Sequence, residues 1–262
     1  MTWRAIREAA AAGAVLVLPT GSMEQHGHHL PVRTDTALVT AVAEGALAAL
    51  PEDVRCILAP TLWLGASNHH LPYFALSVGE AVYVELIAQV GESAAEAGFR
   101  RLFILNGHGG NAAPLRLALI EIRRRRPALL VAAAEYWSLA AAQIREVRTS
   151  APGGAAHACE VETSLMWHLS PDSVRVDRMR AALPPWPEGF VRDLVDGGPI
   201  ALGIEWEKLS ADGTLGDPTQ ASPEKGERFF QAAVMAAAQA ITAFARLDPE
   251  ALRAEAGPAR IE

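Results

Sequence analysis

The strongest constraint on the fold is an alternation. Ala14 to Pro19, Cys56 to Pro60, Arg101 to Asn106 and Ala128 to Ala134 are short apolar or β-branched runs that stop at Pro, Asn or polar residues, as buried strands do. Between them, Thr36 to Leu50, Glu80 to Gly98 and Ala113 to Arg126 carry apolar residues at helical spacing, and Gly98 is placed to cap the second of these helices. Strands alternating with helices make βαβ units, hence an α/β fold whose mainly parallel sheet is covered on both faces. Hydrophobic residues make up 50% of the 262, enough for a sizeable core, and no repeat or linker divides the chain, so a single domain is expected over 1–262. A last Ala-rich helix, roughly Pro223 to Leu247, is expected to pack across the sheet, with 248–262 as a polar tail. From Gly153 to Gly216 no period emerges, and Pro184, Pro185, Pro187 and Pro199 mark an irregular excursion.

Charge and cysteine usage remove several function classes. A formal charge of −7 argues against nucleic acid or an anionic membrane as partner, because a phosphate-binding surface needs a basic excess. The one basic run, Arg123 to Arg126, closes a helix and complements its dipole. Two cysteines, Cys56 and Cys159, make no disulfide framework, and Cys56 reads as a buried thiol. The first residues lack the apolar region of a signal peptide and no apolar run reaches spanning length, so the cytoplasm is the expected compartment.

In open parallel sheets ligands gather at the carboxyl ends of the strands. Glu24 and His26 follow the first strand, Ser67 to His70 the second, and Asn106-Gly-His108 the third. Of eight histidines, seven fall in four loop clusters: His26, His28 and His29; His69 and His70; His108; and His157. Glu24, His26 and Asp35 lie within a dozen positions, and carboxylate with neutral imidazole is the ligand chemistry of zinc, manganese or iron. In Asn106-Gly-His-Gly-Gly-Asn111 the glycines allow a tight turn that presents His108, with Asn111 placed to cap the next helix. His157-Ala-Cys-Glu160-Val-Glu162 adds a histidine and two acids at a helix start, where either acid alone also serves as an N-terminal helix charge. A hydrolytic metal centre is the reading these loops share.

The segments Leu18 to Thr36, Asn106 to Asn111, His157 to Ser164 and Gly216-Asp-Pro-Thr219 resemble, in order, those of the creatininase (creatinine amidohydrolase) family. The resemblance implies a three-layer αβα sandwich, two divalent ions per subunit (zinc, manganese or iron) bridged by Asp35, and a homohexamer. It also implies that Glu24 and His108 complete one metal site with Asp35, while His26 and Asp35 serve the other. Creatininase carries an acidic ligand two residues after the histidine of the Asn-Gly-His turn, where this chain has Gly110. Glu160 is the expected substitute, which makes it a catalytic as well as a metal residue, and Glu162 is the fallback. His157 is expected to give a proton to the departing nitrogen, or else to act as a ligand or hydrogen-bond donor. Ser67 and Trp137 are expected substrate contacts, Trp137 by resemblance to an aromatic near the family's site. Where many relatives have Phe-Pro-Gly-Thr this chain reads Tyr73-Phe-Ala-Leu-Ser, and this altered loop after Ser67 is expected to select a substrate other than creatinine.

The expected activity is therefore hydrolysis of a non-peptide or cyclic C–N amide bond in a small molecule by metal-activated water. Alternatives are a peptidase of the mycofactocin-precursor type, which shares Gly-Asp-Pro-Thr and the His168-Leu-Ser-Pro171 run, and a formylaminopyrimidine-nucleotide deformylase. From another class, the acid missing at Gly110 motivates a metal-binding scaffold without turnover. A nucleophile-based hydrolase is disfavoured, since Gly21-Ser-Met-Glu is no Gly-x-Ser-x-Gly elbow and Cys159 beside His157 lacks an orienting third group.

Overall fold

In a computed structural model that describes residues 1–252, the apolar runs pair as a four-stranded parallel sheet with helices on both faces. The elements are α1 (Trp3–Ala11), β1 (Val15–Thr20), β2 (Met23–Glu24), α2 (Thr34–Ala48), β3 (Cys56–Leu58), β4 (Ala75–Leu76), α3 (Glu80–Glu96), β5 (Arg101–Asn106) and α4 (Ala112–Arg125). They continue with β6 (Leu130–Glu135), α5 (Tyr136–Leu139), α6 (Ala141–Val147), β7 (Ala155–His157), α7 (Glu160–Leu169), α8 (Trp206–Leu209), β8 (Leu215–Gly216) and α9 (Pro223–Arg246). The sheet order is β3-β1-β5-β6, while β2–β4 and β7–β8 form small antiparallel ladders beside it.

Side chains alternate across the sheet and divide the core in two. Phe103 and Leu105 of β5 face α2, α7 and α9, whereas Leu102 and Ile104 face α3 and α4. Ile104 is fully buried, and trimming it to Ala would cost about 2–5 kcal/mol through lost transfer energy and the cavity left behind. The helix boundaries follow local chemistry. Gly98, at φ +100°, takes the left-handed conformation that ends α3, and Phe99 N–H closes the turn on Ala94 O. Arg125 and Arg126 at the end of α4 reach Glu85, Glu92 and Glu96 on α3, so the basic run ties two helices together besides facing the dipole.

Two readings of single residues change. Cys56 is half-buried at the sheet edge, where burial pushes its thiol up to about 11. Asn111 makes no cap; its Oδ1 accepts from Ala66 N–H and its Nδ2 donates to Gly21 O, clamping the loops after β1, β3 and β5 to one another. The expected tail from residue 253 onward lies outside the described residues. Among the described residues no helix is long and apolar enough to cross a membrane.

Candidate metal centre

The carboxyl ends of β1 and β5 bring the polar loops together. Glu24 leaves β2, Asp35 begins α2, and His108 sits on the turn after β5, where Asn106 holds it by accepting from its N–H and donating to its C=O. Glu24, His26, Asp35, His70, His108 and His157 are all buried. Combinations of these with His69 and Glu162 bring three ligand atoms within 4.8 Å of one another.

Three histidines share one arrangement. A backbone carbonyl only accepts, so each ring nitrogen facing one carries the hydrogen. His26 Nδ1 donates to Glu24 O at 3.1 Å, His108 Nε2 faces Ala66 O at 3.2 Å, and His157 Nε2 donates to Gln25 O at 2.8 Å. The opposite nitrogens therefore present lone pairs to carboxylates: His26 Nε2 is 3.0 Å from Asp35 Oδ1, His108 Nδ1 is 2.9 Å from Asp35 Oδ2, and His157 Nδ1 is 3.7 Å from Glu24 Oε1. Glu24 Oε1 and Asp35 Oδ2 are buried and accept no hydrogen bond of proper geometry. Lone pair facing lone pair at this separation demands a cation between them, either a proton or a metal ion, and an imidazole whose outer N–H is held by a carbonyl is the usual disposition of a metal ligand. The residues fit divalent cations.

The electrostatics agree. Burial alone would raise Glu24, but His108 and His70 hold its carboxyl well below the usual range. Burial opposes charge on His108 and His26, yet the adjoining carboxylates win, keeping His108 protonated up to about 10 and raising His26 well above an ordinary histidine. A divalent cation on the same atoms would displace these protons. His157 goes the other way: burial, then His26 and His70, hold it neutral.

Glu160 does not join the cluster. Its carboxylate is 2.5 Å from Lys225 Nζ and accepts from the backbone N–H groups of Thr149 and Ser150, an anchor between α7 and α9. Glu162 is the acid that turns inward, with Oε1 at 3.8 Å from His26 Nε2 while Oε2 caps its own helix through Cys159 N–H. No side chain fits at Gly110, because a Cβ there would collide with the Ala66 carbonyl, His108 Nε2 and the His69 ring. Trp137 is core, packed edge-on against Tyr136, and does not line the cavity over the cluster. Ser67 is buried behind His108, 3.1 Å from its Nε2 and bonded to Ser22, which donates to Glu24. It steadies ligands rather than facing the cavity. Cys159 is buried and its thiol is pushed well up, unsuited to be a nucleophile.

Two features escaped the sequence reading. His70 belongs to the cluster: Gln25 donates to its Nδ1, so Nε2 carries the hydrogen and lies 3.2 Å from Glu24 Oε1 without the alignment of a hydrogen bond. Its place in the Ser67–His70 cluster was the available signal. The cavity itself, about 430 Å³, takes only His69 and His70 from the loop after Ser67, while Leu71 and Phe74 point to solvent. Its wall is built instead by the irregular excursion, with Trp186, Leu202, Ile204 and Trp206 among its residues. Trp206 lies over His70 and His157, with ring centroids at 4.4 and 5.3 Å. Ala158, beside His157, has φ +49°, strained for a residue with a Cβ, and His29 Nε2 donates to its carbonyl at 3.1 Å.

A family profile described as creatininase, creatinine amidohydrolase, matches residues 1–241. The chain is 36% identical over 230 residues to a mycofactocin precursor peptide peptidase of Mycobacterium tuberculosis, spanning 84% of this chain and 81% of that protein. It is 30% identical over 262 residues to a creatinine amidohydrolase of Pseudomonas putida, spanning 92% and 94% of the two chains. A solved mutant creatininase of the Zn–Zn type aligns with a TM-score of 0.75 at 28% identity, over 92% of this chain and 95% of that one.

Proposed function

The chain belongs to the creatininase family, and on that premise we propose that it hydrolyses a C–N amide bond in a small molecule with two divalent cations held among its buried acids and histidines. The observation that carries this reading is Asp35: its two oxygens face two different histidines, His26 and His108, each presenting a lone pair. Glu24, His108 and Asp35 would hold one cation; His26, Asp35 and Glu162 the other. Glu162 thereby replaces Glu160 as the second acid, as its inward carboxylate supports. Divalent cations there would supply Lewis acidity, lowering the pKa of water toward ~7 and polarising a carbonyl.

The chain's own residues do the rest. His157 is kept neutral, with Nε2–H fixed on Gln25 O, so Nδ1 is the atom free to take a proton from attacking water and return it to the departing nitrogen. Gln25 also donates to His70, holding that ring beside Glu24. Trp206 covers both rings and keeps bulk water off them. A fully assembled ligand set argues against a scaffold that has lost turnover.

The reading is tested by metal analysis of purified protein and by turnover of a panel of small amides with zinc or manganese. Activity should collapse in Glu24→Ala and Asp35→Ala while the fold persists; full activity in both variants sinks the proposal. A second reading, peptide hydrolysis, is favoured by the 36% identity to the mycobacterial peptidase against 30% to the creatinine amidohydrolase. The cavity, at about 430 Å³ within the range of drug-sized ligand pockets, also has room for more than a small heterocycle. Mass spectrometry of short peptides incubated with the metal-loaded enzyme separates the two.

A further inference from the structure

Among the described residues Arg192 is the only lysine or arginine that lines the cavity, whose wall it shares with the apolar Trp186, Val191, Leu194, Leu202 and Ile204. Among the described residues its Nε is buried without a hydrogen-bond partner. The acid next to it is already committed. Asp193, buried, takes Arg148 Nη1 at 3.0 Å and Gly153 N–H at 2.7 Å, and it accepts from the N–H groups of Val195 and Asp196. These bonds fix the backbone on which Arg192 rides, and among the described residues its Nε is left without an acceptor. A desolvated donor without an acceptor is costly to the free protein, and an acceptor brought by a ligand would offset that cost.

The cavity is therefore polarised. Its catalytic end carries Glu24, Asp35 and Glu162, the acids that would be occupied by cations, while its irregular wall carries one cation within apolar surroundings. A single guanidinium matches a carboxylate, whose two oxygens it can take in fork geometry, better than a phosphate dianion, which would call for a second cation. We propose that the substrate is an amide bearing a carboxylate and an apolar side chain, as in an N-acyl derivative of an apolar amino acid, and that Arg192 binds this carboxylate. The proposal rests on the hydrolase reading for the reaction but on the wall alone for the recognition.

The test uses a matched pair, N-acetyl-L-leucine and N-acetyl-L-leucinamide, measured both by calorimetric binding to the metal-free protein and by turnover with zinc. Binding without metal separates Arg192 from any cation that also attracts carboxylate. A charge-assisted contact is worth about tenfold to a hundredfold in affinity, so the acid should bind better than the amide by that factor in the wild type. The preference should vanish in Arg192→Gln and survive in part in Arg192→Lys, whose fold and charge serve as the control. Equal binding of acid and amide to the wild type, or an undiminished preference in Arg192→Gln, overturns the proposal. A preference that depends on Arg192 without turnover of either compound or of any other amide upholds the carboxylate site and overturns the hydrolase reading instead.

Discussion

The two ends of the cavity are built on opposite plans. The catalytic end is an assembly of buried polar residues at strand termini, each held by backbone groups: Asn106 fixes the His108 turn, Asn111 joins three loops, and carbonyls orient the rings. The wall from Trp186 to Leu215 has one four-residue helix, α8, and owes its shape to a few long-range anchors, chiefly Asp193 with Arg148 and Leu194 N–H with Ala155 O. The difference separates two tasks. On the function proposed above, reaction chemistry, which needs fixed atoms, would sit at the sheet, whereas substrate choice would fall to a segment that can vary without disturbing the buried acids and histidines.

Mutations should break the two ends in different ways. Asp35→Ala should cost the most, more than the roughly 10–100-fold lost when a mere orienting partner is removed, with loss of bound metal by elemental analysis and an unchanged far-UV spectrum. A wall anchor should fail by instability: Asp193→Ala leaves Arg148 with Asp196 at 3.2 Å but strands the N–H groups of Gly153, Val195 and Asp196, and should cost about 3 kcal/mol in denaturant unfolding while metal stoichiometry holds. If Asp193→Ala instead abolished metal binding at unchanged stability, the separation would be wrong. The pair Glu162→Gln and Glu160→Gln sharpens it within one helix. The first should lower metal affinity by about 10–100-fold; the second should weaken the α7–α9 contact and leave metal affinity alone. Ser67→Ala, which removes a hydrogen bond behind His108, should cost about 1 kcal/mol, roughly fivefold, in kcat/KM.

A further expected effect is one of pH. Burial lowers His29 to about 4, so the unfolded chain binds a proton that the folded chain refuses between about 6.5 and 4. This contribution to stability is complete above pH 6.5 and is lost as pH falls through that window. His29→Gln should flatten the acid limb of stability against pH there; an unaltered slope would remove His29 from the account.

That Glu24, His26, Asp35 and His108 converge was legible in the sequence, because apolar runs and helical patterning locate the strand ends that these loops follow, ligand chemistry picks out Glu24, His26 and Asp35, and the family resemblance adds His108. The four strands of the parallel sheet begin and end within one or two residues of the apolar runs, whereas the short ladders β2–β4 and β7–β8 were not foreseen. Glu160 and Glu162 were not separable in this way. Residues two apart on a helix point to different sides, and which side faces the site is decided by Lys225, sixty-odd positions away on α9. Trp137 shows the limit of resemblance, since a residue matched to an aromatic near the family's site packs here into the core. The wall was illegible because its conformation follows from contacts such as Asp193 with Arg148, which leave no period behind.

Gly110 carries a consequence for descent. A change of one base can turn a glycine codon into a glutamate codon, yet here the substituted side chain would meet the Ala66 carbonyl and the His108 ring before it reached a metal. An acid at that point requires the loop through Ala66 to move first, and Asn111 pins that loop to two others. The one-base change is thus small in the genetic code but large in the backbone, since Gly110→Glu must displace a loop that is tied to its neighbours.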